Sequence, residues 1–133
     1  MRWRKQRRME WGVATTRRLL RELTRTGRLE RDPAGIQLRD ALGSATVRDA
    51  LVEVIERALQ HESPLCRDII DHCNLRGEST VEAAAELGLS LRTLFRYRVR
   101  ANEAIDTLIA QVLASDTRHE SGSFAAGQRH GRA

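Results

Sequence analysis

Lysine is almost absent from this chain: of its 23 Lys+Arg residues, 22 are Arg and only Lys5 is not. Aromatic residues are nearly as scarce, and Trp3, Trp11, Phe95, Tyr97 and Phe124 are the full set in 133 residues. None of them falls between Gly12 and Leu94, so a core built from that stretch must be aliphatic. Two cysteines cannot make a disulfide-rich scaffold. Cys66 and Cys73 fall on one expected helix, ~10.5 Å apart at 1.5 Å per residue, which is too far for a bridge. Together with His61 and His72 they make no recognised zinc spacing, so they read as small buried hydrophobes and no metal is expected. No apolar run approaches the ~20 residues of a membrane span, and the arginine-laden start has no apolar stretch of signal type. A Gly-rich phosphate loop, a paired-carboxylate arrangement and a nucleophile motif are all missing, so neither an enzyme nor a cofactor is expected. What remains is a cytoplasmic, basic, all-α protein with an anionic partner and no membrane.

What is present is charge, and it is segregated. The formal net charge is +5. Residues 1–28 hold ten basic and two acidic residues, a net +8. Residues 29–86 hold six and twelve, a net −6, and residues 87–101 hold Arg92, Arg96, Arg98 and Arg100 with no acid. Residues 102–133 come to −1. Two basic zones around an acidic one predict two polyanion contacts or one composite contact.

Apolar spacing supplies the helices. Met9, Val13, Thr16, Leu20 and Leu23 share one helix face, while Arg18, Arg21, Arg25 and Arg28 repeat on another. Gly27 and the Asp32-Pro33-Ala34-Gly35 stretch predict the end of that helix and a turn. Residues 36–45 fit a short helix or an ordered loop equally well. Thr46 with Asp49 predicts a cap for a helix to about His61, and Ser63-Pro64 starts another that runs to about Asn74. Ser79 with Glu82 forms a capping box ahead of Val81–Leu87. Ser90 caps a final helix through about Leu113. Residues 115–133 lack periodicity and predict a disordered tail. The expected organisation is a basic arm and helix over 1–35, a helical domain over 46–114 and that tail.

Thr80 to Val99 matches the twenty-residue helix-turn-helix pattern at each constrained position. The fifth residue, Ala84, is small where two helices cross, and the ninth, Gly88, permits a left-handed turn. Ala83, Leu87, Leu89, Leu94 and Tyr97 fill the positions that pack between the helices. An ordinary helix corner leaves the second helix unexplained. If Leu94, Tyr97, Ala101, Ile105 and Leu108 face inward, then Leu91, Arg92, Phe95, Arg96 and Val99 face outward with no acid nearby. Arg92 and Arg96 suit guanine edges and Phe95 a thymine methyl. Arg98 and Arg100, further round, suit phosphates, as do the Ser90 and Thr93 hydroxyls at the helix start.

Residues from about Leu65 to Leu108 resemble region 4 of bacterial sigma factors. The resemblance is carried by Val81–Leu89, by Gly88-Leu89-Ser90, by Arg92-Thr93-Leu94 and by Arg100-Ala101. Arg98 stands where that region usually has an apolar residue, and Tyr97 takes over its core duty. No region 2 is recognisable. In architecture the chain is also similar to small phage late-gene activators of the RinA/ArpU type and to gene-transfer-agent activators. The resemblance implies a N-terminal basic helix plus a bundle ending in a sigma-region-4-like helix-turn-helix over 79–102. It implies a promoter-binding activator whose partners are double-stranded promoter DNA and RNA polymerase or its sigma factor.

Arg2, Trp3, Arg4, Lys5, Arg7 and Arg8 form a second candidate nucleic-acid contact. As a DNA arm they would track phosphates beside the main site. Such a segment also resembles the arginine-rich motifs of phage antiterminators, which implies RNA or RNA polymerase as an alternative partner. A third reading is a polymerase adaptor that does not bind DNA by itself.

Overall fold

The computed structural model describes residues 11–130, so the contact expected at Arg2 to Arg8 lies outside the described residues. Those residues form seven α-helices and no strand. The first, α1, spans Val13–Arg21 and tightens into a 3₁₀ turn at Glu22–Thr24. A single turn of helix, α2 (Thr26–Leu29), contains Gly27, the residue expected to end the segment.

The Asp32-Pro33 stretch opens a helix where the sequence predicts a turn. The Asp32 carboxylate accepts hydrogen bonds from the Ala34 and Gly35 amides at 2.9 and 3.4 Å, and proline occupies the first helical position. Both features lower the cost of a helix N-terminus, because its first amides have no partner within the helix. Helix α3 therefore runs Pro33–Leu42 and stops at Gly43, whose φ of 68° is left-handed. Residues 36–42 thus belong to a helix.

Helix α4 (Val47–Ala58) is capped twice. The Thr46 hydroxyl accepts from the Asp49 amide, and both Glu30 carboxylate oxygens accept from the Val47 and Arg48 amides at 2.9 and 3.0 Å. Helix α5 (Pro64–Ile70) runs on through a π turn at Asp71–Leu75. Helix α6 (Thr80–Leu87) begins with the full reciprocal capping box between Ser79 and Glu82. Gly88 follows at φ 70°, and the Gly88 and Leu89 amides donate back to the Ala85 and Ala84 carbonyls.

The last helix, α7, runs Leu91–His130. It is longer than its apolar stripe, and its backbone is helical through most of the segment expected to be a disordered tail. No proline interrupts that segment, so nothing in the backbone forces a stop at Leu113.

Helix α7 is the axis of the fold, with α1, α3, α4 and α5 packed along it and α6 against its start. The larger of two apolar clusters joins Leu19, Leu20 and Leu23 to Leu38, Leu51, Val54, Ile55, Ala101, Ile105 and Ile109. The basic first helix therefore shares one core with the helices after residue 46. The smaller cluster gathers Ile69, Cys73, Ala83, Ala84 and Leu94 between α5, α6 and α7. Tyr97, half-buried, packs against both. Each fully buried leucine or isoleucine contributes roughly 1.5–3 kcal/mol, so the core is chiefly aliphatic in what stabilises it. No helix among the described residues is long and apolar enough to cross a membrane.

Polar ties complete the docking of α1. The Trp11 indole donates to the Thr16 hydroxyl at 2.9 Å, and that hydroxyl donates to Asp106 on α7 at 2.8 Å. Thr16 is fully buried. Arg18 forks onto Asp32 through two hydrogen bonds, tying α1 to the start of α3. Burial of the Asp32 carboxyl raises its pKa, but Arg18 and the two capping amides outweigh this and hold it below the ordinary value.

Candidate nucleic-acid interface

The tight turn at Gly88 sets α6 and the start of α7 at a corner, and the small side chains of Ala83 and Ala84 let the two helices meet closely. Ser90 then fixes the start of α7. Its hydroxyl accepts from the Thr93 amide at 3.1 Å and donates to the Thr93 hydroxyl at 3.0 Å. Both hydroxyls that the sequence offers to a phosphate are thus engaged in capping their own helix.

Beyond the cap, the faces of α7 separate cleanly. Leu94, Ala101, Ile105 and Ile109 are fully buried. Leu91, Phe95 and Val99 are 42, 48 and 55 % exposed, which for residues of this type demands an explanation. Arg92 and Arg96 are exposed on the same face. The structure thus brings Leu91, Arg92, Phe95, Arg96 and Val99 together on one surface.

Arg98 and Arg100 leave that face on opposite flanks, since a helix turns about 100° per residue. Arg100 leans toward Glu62, 3.9 Å away, and its guanidinium lies 6.0 Å from the Tyr97 ring centre. The Arg96 guanidinium lies 5.4 Å from the same ring, so Tyr97 organises two of the arginines by cation–π contact. Arg98 is half-buried and turns toward α1, where it shares a hollow with Arg17 and Arg21.

The cysteines sit behind this surface rather than on it. Both are buried and free, and the Cys66 thiol donates to the Tyr97 carbonyl at 3.6 Å. Burial pushes both thiols up, and for Cys73 the neighbouring Arg98 offsets only part of that. Neither is a reactive thiolate at neutral pH.

One cluster escaped the sequence reading. His72 Nδ1 lies 2.9 Å from Glu78 Oε1 and 3.1 Å from Glu86 Oε1, which staples the π turn to α6. Their three donor atoms lie within 4.8 Å of one another, and their chemistry is of the kind that binds divalent cations. Separations of six and eight residues across a turn match no linear metal motif, so only the fold reveals the group.

Comparison with known proteins adds no relative: no family model, no curated protein and no solved structure matches this chain.

Proposed function

We propose that the chain is a sequence-specific, double-stranded-DNA-binding transcription regulator. In this reading α6, the Gly88 turn and the start of α7 are a helix-turn-helix like that of sigma region 4. The start of α7 enters the major groove, which accommodates one α-helix. Arg92 and Arg96 fork onto guanine edges, Phe95 meets a thymine methyl, and Leu91 and Val99 fill the remaining apolar contacts. Arg98 and Arg100, on the two flanks, reach the phosphates that border the groove.

The observation that carries this reading is the exposed face itself. Five residues over nine positions combine uncovered apolar surface with two guanidiniums, directly after a capped turn, and no acid lies between Leu87 and Ala101. The apolar part of that face gains nothing from water, and the whole suits an anionic partner with apolar edges. The resemblance to sigma region 4 and to small phage activators supports a promoter-binding activator with RNA polymerase or its sigma factor as a partner.

The test is selection of preferred sites from random duplex DNA, with and without polymerase, followed by binding titrations. Arg96→Ala should cost about 1–3 kcal/mol on the selected site and relax preference at one base pair. Unchanged binding in that variant, together with loss of binding on deleting residues 1–8, overturns the proposal in favour of the N-terminal arginines.

A further inference from the structure

Between α1 and the flank of α7 that carries Arg98 lies a cavity of about 170 Å³. Its walls are Arg17, Arg21 and Arg98, with Leu20, Asn74 and Asn102 completing it. Three arginines line it and no carboxylate does. Among the described residues none of the three has an ion-pair partner, whereas Arg18 beside them is taken by Asp32. Arg17 and Arg21 are four apart on one helix, where like charges repel.

The cavity holds a second anomaly. Asn74 and Asn102 are only 4 and 7 % exposed, and the amide oxygen of each is buried with no hydrogen-bond partner. A buried polar atom left unpaired costs about 1–3 kcal/mol, and few folds tolerate two in one place without a reason. The charge repulsion disappears if a polar, negatively charged guest enters. It would neutralise the guanidiniums. The Asn74 and Asn102 NH₂ groups are donors that its oxygens could accept from.

We infer that this cavity is a phosphate clamp for the sugar–phosphate backbone of bound duplex DNA. The inference rests on the proposed function, because it places the clamp beside the groove that α7 would enter. Geometry favours duplex backbone over a free anion. The cavity shares Arg17, Arg98 and Asn102 with the hollow beneath Phe95 and Val99, so it adjoins the exposed face. On its other side it shares Arg21, Asn74 and Arg98 with a hollow flanked by Arg25 and Arg28. A backbone that leaves the groove would meet arginine in each of the three hollows. Glu103 and Glu22 lie only in the outer hollows. The net +8 segment and the recognition helix would then make one composite contact.

The experiment uses the full chain with a random-sequence 20-base-pair duplex and with the best duplex recovered by selection. Affinity is followed across a fourfold range of salt for the wild type, for Arg17→Gln/Arg21→Gln and for Arg96→Ala. Each phosphate neutralised contributes about −0.9 to the slope of log K against log salt, about threefold in affinity over that range. The double variant should lose about one such unit of slope on both duplexes and keep the wild-type base preference. Side-chain amide signals of Asn74 and Asn102 should shift on adding either duplex to the wild type.

A wild type that selects its sequence while the double variant keeps the full slope overturns the clamp and leaves the reading of α7 intact. Binding that depends on Arg17 and Arg21 but shows no base preference leaves the clamp standing and overturns the reading of α7. Tighter binding to single-stranded RNA of the same length than to either duplex, or no duplex binding at all, overturns the clamp as stated.

Discussion

Phe95 gives the sharpest separation between a face built for a partner and a face built for the core. At 48 % exposure, a side chain that can bury 150–250 Å² leaves roughly 100 Å² for a partner to cover. At about 25 cal/mol per Å² that is on the order of 2 kcal/mol, or a loss of roughly 30-fold in affinity when Phe95→Ala removes it. Phe95 belongs to neither apolar cluster, so folding stability should fall by only about 1 kcal/mol. A fully buried phenylalanine truncated to alanine costs 3–5 kcal/mol in folding. The assay pairs urea denaturation with duplex binding on the selected site, both well below the melting temperature. Binding reduced by more than tenfold in a protein that stays folded is the expected result. Wild-type affinity in a folded Phe95→Ala protein would refute the argument, as would a folding loss of core size.

Three further outcomes follow from the fold. Gly35→Ala should destabilise the protein by about 1–3 kcal/mol, because the added Cβ would lie 2.6 Å from Cγ1 of fully buried Val47; a denaturation midpoint equal to wild type would contradict this. Gly88→Ala meets no atom within 4 Å, so its cost is backbone alone, about 1–2 kcal/mol, and Gly88→Asn should recover part of it. Equal losses in alanine and asparagine variants would show that the turn is not left-handed. Asp32 has a folded pKa below its unfolded one, so its contribution is present above pH ~4 and is lost as pH falls through the folded value. Asp32→Asn should therefore be less stable than wild type at pH 7, by about 1 kcal/mol given the partly exposed Arg18, and the gap should close toward pH 2 in acid titrations followed by circular dichroism.

Local signals were legible wherever one residue satisfies the backbone of its near neighbours. Thr46, Ser63 and Ser79 cap helices within three residues of themselves, and Gly88 ends α6 by its own conformation. The same chemistry misled at Asp32-Pro33, since a carboxylate followed by proline opens a turn or a helix with equal ease. Distance along the chain hid the rest. Glu30 caps α4 from 17 residues away, and Thr16, which counts as part of an apolar stripe in the sequence, is a buried hydrogen-bonding post to a residue 90 positions on. The exposed face of α7 could be deduced from helical period because both faces lie on one element. The cavity behind Arg98 could not, because it exists only where α1, the π turn and α7 meet.

Helix α7 contributes Leu94 to the smaller apolar cluster and Ala101, Ile105 and Ile109 to the larger, with no break between them. Five buried residues are too few to hold the α5–α6 corner as an independent unit. Cooperativity is therefore borrowed along the continuous helix and through α5, whose Cys66 and Ile70 join the larger core. Amides of α6 and of the start of α7 should exchange with solvent at the free energy of the larger core, in a single transition. The surface presented by Phe95 and its neighbours is then either fully formed or lost with the whole protein. A substitution deep in the larger core, such as Ile105→Ala, should lower the fraction of competent molecules without altering which bases the survivors prefer.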